Sequence, residues 1–297
     1  MPVYNAESFL RRALDSLCAQ TLQEWELICV DDGSTDASGR IIEEYASCDN
    51  RIRVIHQSNS GVAMARQAGV DAALGEYIIH ADSDDWVDPT MLEELYRKAK
   101  EEDADVVLCD YYVNDQNGQR LIKQQPTQLT SKQVLHDLFH RLHGGLWNKL
   151  IRRNKFLEHD IKFPAGINYC EDRFVIMSLY CNDIRTAYLA RAFYHYYSNP
   201  DSITRSYSRR QYDEQQAFLE GIERLLPNEE YQHLIQKERF EAFLEGFIFN
   251  VLSEDEIIEA SKQFSELAFS CLGLRRRVGF VMIQFGLYKL AHKFIRY

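Results

Sequence analysis

A chain of 297 residues with a net charge of −11 is long enough for one large domain or two modest ones, and too acidic for broad nucleic-acid binding. Its 45% hydrophobic and 27% charged content allows a substantial core inside a water-exposed surface. The seven cysteines (Cys18, Cys29, Cys48, Cys109, Cys170, Cys181, Cys271) form no Cys-x-x-Cys pair and read as reduced core thiols of a cytoplasmic protein, and neither a signal-like segment nor an apolar run of membrane-spanning length is seen.

Met1-Pro2-Val3-Tyr4-Asn5 reads as the end of a strand. A helix is expected from Glu7 to Ala19, with Phe9, Leu10, Leu14 and Leu17 on one face. Glu26 to Val30 is a buried strand that runs into Asp31-Asp32-Gly33-Ser34-Thr35-Asp36, where Asp36 is placed to cap a helix through Ile41, Ile42 and Tyr45. Ile52 to His56 is a further strand, and Asn59-Ser60-Gly61 opens a helix carrying Ala65 and Arg66. A strand over Gly75 to His80, an acidic turn, a helix from Pro89 to Lys100 and a strand from Asp105 to Cys109 follow. Strands alternating with helices of this length predict an α/β fold with a doubly wound, mostly parallel sheet, whose ligands bind beyond the carboxyl ends of the strands. Neither G-x-G-x-x-G nor G-x-x-x-x-G-K-[ST] occurs, so the dinucleotide and P-loop readings lose their main support.

Past Cys109 the pattern changes. Tyr111 to Lys123 reads as a hairpin turning at Asn117-Gly118, Ser131 to Leu142 as a helix, and Gly144 to Leu150 as a glycine-hinged aromatic segment. Glu171-Asp172 opens an apolar helix, Arg185 to Tyr197 is an aromatic strand, and everything from about Arg209 onward is helical.

The acidic turn, Ala81-Asp82-Ser83-Asp84-Asp85-Trp86, concentrates three carboxylates in four residues at the end of a strand. Such a cluster is costly unless a cation compensates it, and Asp82 and Asp84, two apart, share a face of an extended backbone. Oxygen ligands at that spacing suit Mg²⁺ or Mn²⁺, while a solvated turn that caps the next helix is the competing reading. An EF-hand loop fails, because Trp86 and Val87 stand where it needs an oxygen ligand and a glycine.

Several ordered segments carry a resemblance. Pro2-Val3-Tyr4-Asn5, Val30 to Asp36, Asn59-Ser60-Gly61 with Ala65-Arg66, Gly75 to Ile78 with Asp82 to Trp86, Trp147-Asn148-Lys149-Leu150, Glu171-Asp172 and Asn199-Pro200-x-Ser202-Ile203 together resemble family 2 of the bacterial glycosyltransferases, over residues 1 to about 205. The resemblance implies a GT-A fold, a nucleotide-sugar donor, a divalent metal and inversion at the anomeric centre. It divides the chain into a donor-binding half (1–109), an acceptor-side half (110–205) and a helical C-terminal region (206–297). Members of this family usually carry several apolar residues before the Pro-Val-Tyr-Asn segment, so a truncated or misassigned start is expected here. They also often have a basic residue before the Asn-Pro pair, where this chain has Tyr197 and Ser198, leaving Arg205 as the substitute phosphate contact.

By the same resemblance, Pro2, Val3, Tyr4, Asp32, Arg66, Asp82 and Ser83 line the donor site. Tyr4 stacks on the base and Asp32 accepts the N3–H of uracil, a position at which cytosine and adenine offer no donor. Arg66 stands near the diphosphate, and Asp84 with Asp82 holds Mn²⁺ or Mg²⁺ between the phosphates. Asp85 is read as a cap of the following helix. An inverting transfer needs one general base on the acceptor side, for which Asp172 is chosen over Glu171; both also read as first-turn acids favoured by the helix dipole. Trp147 is either a buried aromatic or a platform for the acceptor.

Residues 275–297 contain Arg275, Arg276, Arg277, Lys289, Lys293 and Arg296 and no acid, with Phe280, Ile283, Leu287, Leu290 and Phe294 at helical spacing. Two readings stay open: a helix packed on its own domain, or an interfacial helix on anionic lipid at the inner face of the cell membrane. The sequence therefore points to an inverting glycosyltransferase that moves a sugar, with UDP as the expected carrier, to a saccharide or lipid-linked acceptor in surface polysaccharide synthesis. The alternatives are a sugar-nucleotide nucleotidyltransferase, for which Asn5-Ala6-Glu7-Ser8 lacks the phosphate loop, and a non-catalytic sugar-nucleotide-binding protein.

Overall fold

The structure, a computed structural model, describes residues 1–198 and 207–295. The chain divides into two compact units, Met1–Pro200 and Asp201–Tyr297. Arg205, the Asn199-Pro200-x-Ser202-Ile203 segment and Arg296 lie outside the described residues.

In the first unit, β1 (Pro2–Val3), α1 (Glu7–Cys18), β2 (Leu27–Asp31), α2 (Ser38–Cys48), β3 (Ile52–His56) and α3 (Val62–Ala72) alternate as expected. β1, β2 and β3 form a parallel sheet, with Val3 opposite Asp31 and Asp31 opposite His56. β2 is buried along its whole length, which is why it reads as a continuous apolar run. α1 turns Leu10, Ala13 and Leu14 inward, the 3–4 spacing of an amphipathic helix. Asp36 serves two helices: one carboxylate oxygen accepts the Ser38 N–H of α2 and the other the Glu7 N–H of α1.

The chain then enters a second sheet through β4 (Tyr77–Ile78), β5 (Trp86–Val87), α4 (Met91–Glu101), β6 (Val106–Asp115) and β7 (Gly118–Ile122). α5 (Ser131–Asp137), β8 (Lys149–Arg152), α6 (Asn154–Glu158), α7 (Glu171–Tyr180) and β9 (Thr186–Tyr197) complete it. Its order is β4-β8-β6-β9-β5, with β7 beside the far end of β6. The sheet is mixed: β6 and β9 run parallel, while β8, β7, β4 and β5 pair antiparallel to their neighbours. β6 runs unbroken through Cys109 to Asp115, and the antiparallel pairings all lie in this second sheet, apart from the parallel β1-β2-β3. α4 follows the sequence closely, with Met91, Leu95 and Ala99 buried, Glu93 and Glu94 in its first turn and Lys98 and Lys100 in its last, charges that suit the helix dipole.

Between the sheets lies a cavity of about 330 Å³, lined by Met1, Ile28, Ala65, Gly69, Tyr77, His80 and their neighbours. The amino group of Met1 donates to the Ile28 carbonyl (2.9 Å). Trp25 Nε1, Arg66 Nε and His80 Nε2, all from lining residues, are buried without a hydrogen-bond partner among the described residues.

The second unit is helical: α8 (Arg209–Leu225), α9 (Glu229–Ile248), α10 (Glu254–Gln263), α11 (Ser265–Cys271), α12 (Leu274–Gln284) and α13 (Tyr288–Ile295). Ser208 and Ser253 close capping boxes with Gln211 and Glu256. Phe240, Phe243, Phe264 and Phe280 form its aromatic core. The single apolar stripe expected over residues 280–294 is corrected here. Gly286, at φ 73°, breaks the segment into α12 and α13, a backbone conformation that costs glycine nothing. Phe280 and Ile283 are buried in the core, while Leu274, Val278, Phe285, Leu287 and Leu290 of the same stretch are exposed.

No disulfide joins any of the seven cysteines, but only Cys29 and Cys109 are buried; Cys48, Cys181 and Cys271 are exposed, so the core reading fails for those three.

Candidate functional site

The acidic loop is built from both sheets. Asp82 donates its backbone N–H to the Tyr194 hydroxyl (3.1 Å), and that hydroxyl donates to Asp85 Oδ2 (2.7 Å). Asp85 Oδ1 accepts the Tyr197 N–H (2.7 Å), so the carboxylate anchors the loop to β9 and is no helix cap. It is buried, and burial, then Asp82 and Asp84, push its pKa well above the ordinary carboxylate range. Arg12 of α1 donates to the Asp84 carbonyl (2.5 Å) and lies over the rings of Trp86 (4.0 Å) and Tyr197 (4.8 Å). Trp86 in turn stacks on His195, with centroids 4.9 Å apart and planes 10° apart.

Arg66 is buried on α3. Its Nη2 donates to Asp82 Oδ1 (2.8 Å) and its Nη1 to Glu171 Oε1. Burial by itself would lower its pKa, but Asp82, Glu171 and Asp172 outweigh that and raise it. Burial raises the pKa of Glu171 against the pull of the same guanidinium. Asp172, next in sequence, is half-buried, and the hydrogen bond it accepts comes from the backbone N–H of Arg173 (2.7 Å). Cys170, at φ 68°, turns the chain into α7 just before these two acids.

Asp84 differs from its neighbours. Asp82, Asp85 and Glu171 are each committed to Arg66 or to tyrosines, whereas the Asp84 carboxylate has no such partner among the described residues. Burial, then Asp82, push its pKa up to about 6. A half-buried carboxylate that no side chain bonds among the described residues, beside a second acid whose Oδ2 is uncommitted, fits a hard divalent cation. Ser83 lies between them, half-buried.

The ends of β2 and β3 are stapled by Asp31, which accepts the Ser34 N–H (3.0 Å) and pairs with His56 Nδ1 (2.9 Å), and by Asp32. Asp32 is buried and accepts three hydrogen bonds: Gln57 Nε2 (2.7 Å) and Ser60 N–H (2.8 Å) on Oδ1, Gly61 N–H (2.9 Å) on Oδ2. It therefore fixes the loop before α3 and keeps one lone pair on Oδ2. Gly61, at φ 89°, sits so close to Asn168 that a Cβ would lie 2.1 Å from its Oδ1. Val3 is core, Pro2 is half-buried, and Tyr4 stands 52% exposed on the rim.

The glycine-hinged segment brings a residue that the sequence reading passed over. Lys149 is completely buried, and its ammonium donates to the carbonyls of His143 (2.8 Å) and Gly145 (2.6 Å) and to Asn148 Oδ1 (2.7 Å). Three protons meet three acceptors, although burial, opposed by Asp172, draws its pKa down to about 7. The Gly145 N–H donates to His143 Nδ1 (2.8 Å), which places the imidazole proton on Nε2. Trp147 is 3% exposed and stacks on Tyr194 (4.4 Å, 15°), so of its two readings the buried one describes it, and an open platform does not. The cue for Lys149 was present: a lysine inside Leu146-Trp147-Asn148-Lys149-Leu150 has no solvent side to turn to. For Arg12 there was none, because its partners are 72 or more residues away.

A sequence profile described as glycosyl transferase family 2 matches residues 1–161. A putative glycosyltransferase of Bacillus subtilis (strain 168), EpsH, is 36% identical over 225 residues, which cover 73% of this chain and 65% of the relative, so the chain spans less than two thirds of that protein. Among solved structures, residues 1–349 of Staphylococcus aureus TarS in complex with UDP-GlcNAc superpose with a TM-score of 0.73 at 22% identity, over 99% of this chain and 89% of that one. A mannosyltransferase from Pyrobaculum calidifontis in complex with GDP-Man and Mn²⁺ reaches a TM-score of 0.54 at 15% identity, over 98% and 84%. At such identities the two structures establish the shared fold, an α/β GT-A architecture followed by helices.

Proposed function

The chain belongs to glycosyl transferase family 2, and from that premise we propose that it is an inverting glycosyltransferase, moving a sugar from a UDP-sugar to an acceptor hydroxyl in bacterial surface polysaccharide synthesis. The observation that carries the reading is the division of labour among the carboxylates. Asp82, Asp85 and Glu171 are held by Arg66, Tyr194 and the Tyr197 backbone, while Asp84 and Asp172 have no side-chain partner among the described residues. The committed acids are framework; the other two are available for chemistry.

Asp84, with Asp82 in support, is the pair that would hold Mn²⁺ or Mg²⁺; when bound, the ion supplies Lewis-acid compensation for the charge of the departing diphosphate. Arg66 keeps Asp82 oriented and places a positive charge at the same site. Tyr4, exposed on the rim, offers its ring to the uracil, and Asp32 offers its remaining lone pair to the uracil N3–H. Asp172 takes the proton of the attacking hydroxyl as the new bond forms on the face opposite the leaving nucleotide. Glu171 is a poor base because its carboxylate is bonded to Arg66. Trp147 acts behind the acceptor side, holding Tyr194 and through it the acidic loop.

The acceptor is proposed to be a saccharide or a lipid-linked saccharide, met on the cytoplasmic face of the membrane. Among the described residues no helix is long and apolar enough to cross a membrane. The pair α12–α13 supplies the contact: Leu274 (80%) and Phe285 (76%) stand out beside Arg275, Arg276 and Lys289.

The test is a donor survey with Mn²⁺ or Mg²⁺, following nucleotide release and the anomeric configuration of the transferred sugar by nuclear magnetic resonance. Release of UDP with inversion, lost in Asp84→Ala, is the expected result. Retention of configuration, or turnover indifferent to Asp84, would overturn the reading.

A further inference from the structure

Away from the acidic loop, His136, Asp137 and His140 bring metal-ligating atoms within 4.8 Å of one another at the end of α5. We propose that these three side chains bind a borderline transition ion, Zn²⁺ foremost, at a site separate from the acidic loop.

The backbone sets the arrangement. Helical hydrogen bonding continues past Asp137, whose carbonyl accepts the Arg141 N–H (2.7 Å), so His136 and His140 sit one turn apart on one side. Their rings lie 5.1 Å apart at 86°. His136 Nδ1 is buried with no hydrogen-bond partner among the described residues. An unpaired buried nitrogen is costly, and a metal bond would satisfy it. His140 is exposed and free to swing toward the ion.

Asp137 is 1% exposed and already held from outside the site. Its Oδ1 accepts Thr127 Oγ1–H (3.1 Å) and Gln133 Nε2–H (2.9 Å), and its Oδ2 accepts the Thr127 N–H (2.6 Å). A carboxylate offers four lone pairs, so one remains, on Oδ2. The donors from Thr127 and Gln133 are the outer shell that fixes a ligating carboxylate and keeps it ionised. Two imidazoles and one carboxylate make a donor set for Zn²⁺ with water in the remaining position. Imidazole favours such ions over Mg²⁺ and Mn²⁺, whereas the all-oxygen loop at Asp84 has the opposite preference.

The experiment titrates Zn²⁺ calorimetrically into the full chain carrying Asp84→Ala, which removes the acidic loop as a competitor, with and without His140→Ala. His140 is exposed, so its truncation spares the fold. One Zn²⁺ site is expected, weakened at least about tenfold by His140→Ala, the scale for loss of a supporting ligand group. Co²⁺ in place of Zn²⁺ should give visible d–d bands that the His140→Ala protein lacks. Equal Zn²⁺ affinity in both proteins, or no Zn²⁺ uptake, would overturn the proposal.

Discussion

Arg66 and Glu171, separated by 105 positions in sequence, meet as a buried ion pair. The pair joins α3 to the start of α7, and Arg66 passes the constraint on to Asp82 (2.8 Å). It also separates two adjacent acids: Glu171 is turned into the framework and Asp172 is left outside it.

Asp172→Asn is accordingly expected to cut transfer by about 10²–10⁴-fold, the usual share of a positioned general base, with donor affinity retained. Glu171→Gln should act differently, by leaving the Arg66 charge short of a partner. Breaking a buried pair costs about 3–5 kcal/mol, so a lowered melting temperature and weaker donor binding are expected together. Single-turnover transfer at saturating donor, with thermal unfolding of each variant, separates the two roles. A Glu171→Gln protein of full stability that has lost only transfer would exchange the assignments.

Partial burial, then Asp82, push the pKa of the Asp84 carboxyl up to about 6, above its ordinary value of about 3.9. The sign follows from that direction. The folded state holds this proton more tightly than the unfolded chain, so ionised Asp84 is a stability penalty present above pH 6 and relieved as pH falls through that value. A cation must displace the same proton. Mn²⁺ affinity is therefore expected to level off above pH 6 and to fall about tenfold per unit below it, as a single competing proton requires. Calorimetric titration of Mn²⁺ with UDP at pH 5, 6 and 7 checks this; an affinity flat across the range would remove Asp84 from the ligand set.

Gly69, inside α3, lines the cavity between the sheets, and a Cβ there would meet Val30 Cγ2 at an ordinary 3.8 Å. Gly69→Ala should stabilise the protein by about 0.5–1 kcal/mol, from the helix-interior cost of glycine alone. Urea unfolding measures it, and a destabilised variant would mean the cavity wall has no room to spare.

The exposed side chains of α12 and α13 make a prediction about lipid. The full chain is expected to co-sediment with phosphatidylglycerol vesicles at low salt and to be released at high salt, since the attraction of Arg275, Arg276 and Lys289 is screened. Replacing Leu274 and Phe285 with serine should remove most of the binding, each burial being worth about 1.5–3 kcal/mol. Vesicle binding unchanged by both substitutions would place the contact elsewhere.

Local physics made much of this protein legible in its sequence. The buried run Leu27–Asp31, the 3–4 spacing in α1 and α4 and the acid-rich turn at a strand end each arise from residues close in the chain, and periodicity reports them directly. The family resemblance likewise follows from ordered short motifs. What those motifs do to one another was decided only in three dimensions. Asp31, Asp32, Asp82, Asp84 and Asp85 are alike in sequence, yet Asp85 belongs to Tyr194, Asp32 to the loop at Ser60 and Asp82 to Arg66, and each partner comes from a distant element. Lys149 is buried because its own turn supplies three acceptors, and Phe280 is core while Leu287, on the same face by spacing, is surface because Gly286 breaks the helix between them. A side chain's type and spacing set what it is able to do; the desolvation it suffers and the partner it meets, which fix its charge and its freedom, are properties of the packed fold.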